Sequence, residues 1–452
     1  MAHAFQNEEY EYEYEFDKDK DPYPCNNGQI RQTSLHDLVL TSMEEPLRPS
    51  PTVQDFRNIR IERAGQLIAC GPPVACPNDV FRATYPVFEE VTVREALEGT
   101  WITLFYDATM ATWELATRGK LGARTWYTRL DYACFPLKRP QKTYRDMFVE
   151  ALVWGGEEGE QGEQGKEGKE GKEAKEAKDL QDIALLSYLP RDVAYTFVLQ
   201  HPDNPLVRAV TEPALYLDSA FVIDGDHIQP VDAALLFRDT PVRVPKVFES
   251  IKDYTAALSF FPPVLQPSTS SSSSSGVYNI STKAKPVPTL SGLWMVHPVT
   301  GARSFIKNPL FEEQKTFRGN HPNLQYQFLE IMQQRRIHEY LMTFPAFKPL
   351  FYQFHKDLVQ RSHTLYGIYR KCFVFPGQRR KRTGKSEVIP RVAKHHFVLA
   401  SQLHHEVYIP SVIAGTQSAI TPDRVRVFLE TLSPSQLIHY LNLGDEEDEP
   451  KE

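Results

Sequence analysis

The chain has 452 residues, 41% hydrophobic and 12% aromatic, with a formal charge of -7, enough apolar material for two packed domains with appendages. No run of eighteen apolar residues occurs, and the start MAHAFQNEEYEYEYEFD lacks the basic and apolar stretches of a signal peptide, so neither membrane spanning nor secretion is expected. The five cysteines, at 25, 70, 76, 134 and 372, form an odd set without a CxxC pair, which argues against a disulfide framework or zinc knuckle and for a reducing compartment.

Residues 1–27 alternate Glu with Tyr and then Asp with Lys, a pattern too charged to pack, and are read as a disordered acidic arm. Strand-like runs follow: RNIRIER, GQLIACG, EGTWITLFYD, TWELATRG, AYTFVLQHP, ALYLDSAFVID and SGLWMVHP, several alternating with period two. They are interrupted by a Gly-Lys-Glu insert (155–179) and by a Ser-rich stretch (262–288), both read as mobile and dispensable because neither offers an apolar face. After about Phe317 the spacing becomes helical, in NLQYQFLEIMQQRRIHEYLMTF and PLFYQFHKDLVQRSHTLYGIYRKCFVF. Thr421 before Pro422 predicts an N-cap for the helix DRVRVFLETL. The sequence therefore predicts a mixed α/β domain followed by an all-α domain (317–440) and an acidic tail (441–452).

Charge is unevenly spread. Residues 8–21 carry -6, residues 445–452 carry -5 and the span 157–179 carries -4, which leaves a body of about +8. Such a body suits a polyanionic partner, and the acidic tails suit a protein partner. Within the helical part, Arg379, Arg380, Lys381, Arg382 and Lys385 crowd into GQRRKRTGK, read either as a solvated face, as an RNA phosphate contact or as a nuclear-import signal. The pairs His395, His396 and His404, His405 are read as surface or core histidines rather than a metal site.

The stretch Arg94–Ala123, REALEGTWITLFYDATMATWELATRGKLGA, resembles the nucleophile motif and following hairpin of phage-type RNA ligases and their large-DNA-virus relatives. Glu98, Gly99 and Thr100 match that family's Asp-Gly-Ser, and Thr117, Arg118 and Gly119 match its Thr-Arg-Gly. Upstream, DFRNIRIERAGQLIACGPPVACPN resembles its Arg-Gly-Ile strand pair, with Arg57 in the matching place and Asn58 replacing the glycine. Downstream, TYRDMFVEAL, FVLQHPDNPLV and FIKNPLFEEQKTFRGNHPNL resemble later blocks in family order, so the likeness covers roughly residues 30–330, with weaker helical similarity to about 440.

The resemblance implies an α+β fold: a nucleotidyltransferase (ATP-grasp-like ligase) domain with antiparallel sheets over 28–316, then the helical domain. It implies ATP and Mg2+ as cofactors, RNA ends as substrate, and an intracellular setting in an infected host cell or a virion. Family chemistry needs a lysine amine to attack the α-phosphate of ATP. Ala96 stands in that place, and Arg94 cannot replace it because a guanidinium stays protonated. By alignment, Phe197 keeps the aromatic that stacks on the purine, Val198 replaces an acid, Ser291 replaces a metal-holding glutamate, Phe305 replaces one phosphate lysine and Lys307 keeps the other. Glu98, Gly99, Arg118, Phe197, Ser291 and Lys307 are thus the expected nucleotide-binding set, with Ala96, Arg118, Phe197, Ser291 and Lys307 expected to line one cleft.

Lys120 is weighed as a substitute nucleophile: with the hairpin turning near Thr109 and Met110, opposed residues sum to about 219 and Lys120 would pair near Gly99. Three functions remain open at this level: a degenerate nucleotidyltransferase that binds RNA or nucleotide, an active RNA ligase using a relocated lysine, and a viral structural or interaction protein that reuses the fold.

Overall fold

The computed structural model describes residues 30–35, 37–43, 57–128, 130, 132, 134–136, 140–154, 179–204, 207–225, 227–262, 288–374, 394–415 and 419–442. The acidic arm, nearly all of both inserts, the run GQRRKRTGK and the end of the acidic tail lie outside them. Twelve strands are described: β1 (Ile30–Leu35), β2 (Leu38–Met43), β3 (Ile59–Arg63), β4 (Gln66–Cys70), β5 (Thr92–Ala96), β6 (Thr100–Asp107), β7 (Thr112–Thr117), β8 (Val193–Gln200), β9 (Ala214–Asp224), β10 (His227–Val231), β11 (Gly292–Val296) and β12 (Arg303–Lys307). Helices α1 (Asn78–Thr84), α2 (Tyr144–Val153) and α3 (Tyr254–Leu258) lie among them. Then follow α4 (Pro309–Arg318), α5 (Leu324–Gln333), α6 (Ile337–Thr343), α7 (Lys348–Tyr369), α8 (Lys394–Leu403), α9 (Ile409–Ile413), α10 (Pro422–Thr431) and α11 (Pro434–Asn442). The chain is α+β, with antiparallel sheets followed by a helical C-terminal region.

The strands form three sheets, ordered β1-β2-β3-β4, β10-β9-β8-β6-β7 and β12-β11-β5. One face of the five-stranded sheet is apolar at alternate positions. Ile102, Leu104, Leu115, Tyr195, Phe197 and Leu217 project there and pack under α2, whose Met147, Phe148 and Leu152 complete the core. Thr143 opens α2 with a capping box closed by Asp146. The opposite face meets the four-stranded sheet through Phe105, Ala116 and Ala194, and nearer β9 it meets the three-stranded sheet. That smaller sheet buries Val93, Leu293, Met295 and Ile306 against Phe81 and Tyr254 on its far side.

The β6–β7 hairpin has the predicted register, Ile102 opposite Thr117 and Asp107 opposite Thr112. Its turn is held by Asp107 Oδ1, which accepts from the backbone N–H of Thr109 (2.9 Å) and Met110 (3.3 Å), while Arg63 grips both carboxylate oxygens (2.7 and 2.8 Å).

The helical region has its own core around Leu324, Phe328, Tyr340, Phe351, Phe354, Leu358 and Phe428. Tyr132 and Val207 of the sheet-bearing part join it, and the Leu324 N–H donates to the Tyr132 hydroxyl (2.7 Å). The predicted N-cap of α10 is present, with Thr421 Oγ accepting from the Arg424 N–H. The helically spaced stretch 323–344 is not continuous. It breaks between α5 and α6, where Arg335 adopts φ 58°.

Candidate functional site

Register alone fixes which residues of the three-stranded sheet share a face. Gly292 lies opposite both Ala96 and Lys307, Trp294 opposite Arg94 and Phe305, and Val296 opposite Thr92 and Arg303. With Leu293, Met295, Val93 and Ile306 committed to the core behind, these residues form the face turned toward the five-stranded sheet. Ala96 and Lys307 therefore flank one glycine on one face. Ser291, one residue earlier, donates through Oγ to the Ala96 carbonyl at 2.7 Å.

The space between the sheets is filled by the chain itself. The Arg303 guanidinium sits 4.5 Å from the Trp101 ring centroid and 4.4 Å from that of Trp294. The two indoles meet edge to face at 6.1 Å, and Phe305 extends the cluster at 4.8 Å from Trp294. The Phe305 ring also covers Gly292, where a Cβ would stand 2.6 Å from its carbons. Asp218 supplies the counter-charge, accepting from Arg94 Nη2 at 3.0 Å and Arg303 Nη1 at 3.4 Å. Its position has a backbone cause: the pairing of β8 with β9 skips one residue between Leu217 and Ser219, a bulge of the kind that re-aims a side chain.

Two guanidiniums on one carboxylate leave the cluster net positive, and Arg57 stacks nearby on Phe221 at 4.4 Å. Burial pushes the Arg303 guanidinium down to about 10; Asp218 opposes that shift, and Arg94 and Arg57 add to it. Arg303 stays charged at neutral pH. The arginines, tryptophans and phenylalanine of this layer supply no neutral amine, and the Asp218 carboxylate beside them is engaged by two guanidiniums. Lys307, exposed at the sheet end, is the sole amine on the small sheet's inward face.

The other expected site residues fall elsewhere. Phe197 is fully enclosed on the opposite face of the five-stranded sheet, edge-on to Phe148 and Phe237 at 5.5 Å each, and offers no open ring for a purine. Arg118 is exposed just beyond β7, the edge strand, three strand positions from Asp218 on β9. Of the five residues expected in one cleft, the fold brings together Ala96, Ser291 and Lys307 but not Phe197 or Arg118.

Glu98 turns its carboxylate to the chain, accepting from the backbone N–H of Val207 (2.6 Å) and Arg208 (3.0 Å), and burial pushes its pKa up. Gly99 is required by close packing, since a Cβ there would stand 2.4 Å from Val198 Cγ1 and 2.7 Å from the Leu199 carbonyl oxygen. Lys120 does not extend β7 toward Gly99. The chain reverses after Thr117, whose N–H donates to the Lys120 carbonyl at 2.9 Å, and Gly122 pairs back with Leu115 at 2.7 Å. The register is as read, but the strand ends three residues too early to carry Lys120 to the pocket.

No group of three or more His, Cys, Asp or Glu able to hold a metal occurs among the described residues. Cys70 and Cys76 are buried free thiols with pKa values pushed up by burial, Cys76 to about 11. His396 packs edge-on against Tyr440, and His404 lies in a ring stack. No described helix is long and apolar enough to cross a membrane.

The cluster of Trp101, Arg94, Asp218, Trp294 and Arg303 was not singled out from the sequence. A signal existed in the alternation of EGTWITLFYD and SGLWMVHP, which gives each strand one tryptophan, but only the pairing of the sheets shows that the two meet. The chain matches no protein-family model and no curated protein sequence.

Proposed function

We propose that this protein is an RNA-ligase-like nucleotidyltransferase fold that binds RNA and has given up adenylyl transfer. The observation that carries the reading is Ala96. It faces the space between the sheets on the same face as Lys307, is 1% exposed, and lies beside a layer already occupied by Phe305, Trp294, Trp101 and Arg303. An α-phosphate brought there would meet a methyl group where the chemistry needs an amine, and the purine would compete with two indoles for the same volume. ATP and Mg2+ are therefore not cofactors of this chain in the proposed role.

RNA as the partner is supported by charge: residues 317–440 hold 17 Lys and Arg against 7 Asp and Glu, a net +10 inside a chain of net -7. A surface of that sign attracts phosphates in proportion to the counterions it releases.

Incubation with α-labelled ATP and magnesium followed by a denaturing gel tests the first half. The protein and its Ala96→Lys variant should both stay unlabelled. Each missing charge-stabilising group costs about a hundredfold to a thousandfold in rate, so Ala96→Lys with Ser291→Glu and Phe305→Lys, which supplies the amine, the metal-holding carboxylate and the second phosphate lysine, is the minimal restoration. Label on the unmodified protein, mapped to Lys120 or elsewhere, would overturn the reading. Gel shifts with RNA across a salt series test the second half; the expected result is binding that weakens steeply with salt, and no binding at low salt would remove RNA as partner.

A further inference from the structure

Helix α7 spends one face on the core and leaves the other to solvent. Phe351, Phe354, Leu358, Leu365 and Tyr369 are among its buried residues. Lys348, Tyr352, Lys356, Gln360, His363 and Arg370 are exposed on the far side, at steps of three, four and seven residues that keep them in one row. Lys371 is exposed beside Arg370, where the helix runs on through a π turn, Arg370–Val374. At 1.5 Å per residue the row from Lys348 to Arg370 is about 33 Å long.

Its charge is unbalanced. On neighbouring helices the cations have acids a turn away: Lys315 faces Glu312 on α4, Arg336 faces Glu339 of α6 and Arg426 faces Glu430 on α10. Residues 348–374 hold five Lys and Arg against one acid, Asp357. That carboxyl lies off the row, half-buried near Arg361 and Cys134, and burial pushes its pKa up. Lys348, Lys356 and Lys371 form no ion pair among the described residues. Lys348 also stands in the first turn of α7, which holds no acid, where the helix dipole disfavours a cation. Neither packing nor local helix stability accounts for these lysines.

We propose that the outward face of α7 is the surface on which nucleic-acid phosphates lie. The inference rests on the proposed RNA-binding role and adds where the backbone is held. A straight row of cations about 33 Å long matches an extended polyanion and exceeds what a free phosphate or single nucleotide spans. Lipid is disfavoured, because a helix that lies on a membrane turns its apolar face to it, and α7 has committed that face to the helical core. Lysine binds phosphate as a point charge, so the contact is to the backbone and carries no sequence preference.

Anisotropy titrations of the full chain with labelled RNA of two unrelated sequences, each single-stranded and as a duplex, across a salt series provide the test. Each phosphate contact contributes about 0.7–0.9 to the slope of log affinity against log salt. Lys348→Gln, Lys356→Gln and Lys371→Gln combined should therefore flatten the slope by about two to three and weaken binding about a hundredfold near 0.1 M salt, equally for both sequences. Lys120→Gln, Lys246→Gln and Lys252→Gln combined make the same charge change on exposed lysines of the sheet-bearing part and should leave slope and affinity near the parent's. Lys356→Glu alone keeps the test readable should the triple variant melt early, and should weaken binding about tenfold or more.

If the parent binds no nucleic acid, this inference and the RNA half of the proposed function fall together. If it binds RNA and the α7 variants match it, or both triple variants weaken alike, the α7 surface alone is overturned. The same holds if the α7 variants lose binding only to phosphatidylserine vesicles, which would make the face a lipid surface.

Discussion

Asp218 is 5% exposed and faces two guanidiniums, so its carboxylate is the one anion the layer between the sheets depends on. Asp218→Asn preserves shape and removes the charge. Breaking a buried ion pair from one side leaves uncompensated charge, at a cost of about 3–5 kcal/mol. The expected outcome is a large fall in melting temperature, and a melting curve unchanged within error would show that Arg94 and Arg303 find other partners. At this scale the sequence was partly readable. Ala96, Ser291 and Lys307 come together because each sits at the end of a short strand whose neighbours are fixed by the sheet. Phe197 was misplaced because a strand buried on both faces, VAYTFVLQ, carries no alternation to say which residues look which way. One step of register separates Phe197 in the core from Val198, which lies opposite Trp101.

Between residues and domains, the elements sort by how much local signal they carry. Seven strands were visible as apolar or alternating runs, and the caps at Thr143 and Thr421 follow from residue type. Strands such as IRQTSL and RSFIK were not singled out, since they are short and polar and exist because a neighbour supplies their hydrogen bonds. The break between α5 and α6 is the opposite case, a bend in a segment of unbroken helical spacing. It has neither glycine nor proline, and Arg335 takes the left-handed conformation there. That conformation costs a side-chain-bearing residue about 1–2 kcal/mol, partly offset by the greater unfolded-state freedom of glycine. Arg335→Gly should therefore stabilise the protein by roughly 0.5–1 kcal/mol, measured as a rise in the urea midpoint at constant m. Arg336→Gly is the control and should destabilise, because Arg336 precedes α6 at φ -110° and pairs with Glu339 at 2.8 Å. A rise for both would mean that the junction is merely being loosened.

Across the whole molecule, the partition of charge dominates. The acidic stretches at 8–21 and 445–452 hold -11 between them, nearly matching the +10 of residues 317–440. In one chain, such segments act on each other at a high effective concentration and compete with an external polyanion for the same cations. Removing residues 1–27 and 445–452 takes the formal charge from -7 to +4, since the removed stretches carry -6 and -5 and the rest of 1–27 carries none. The truncated protein should bind RNA more tightly than the full chain, by about three- to tenfold at low ionic strength. The advantage should vanish once the Debye length falls toward about 3 Å near 1 M salt. Anisotropy titrations of both proteins across a salt series read this directly. Curves that coincide at every salt concentration would mean that the tails do not reach the basic region. A full chain that binds more tightly than the truncated one would mean that the tails help hold the RNA-binding surface in shape.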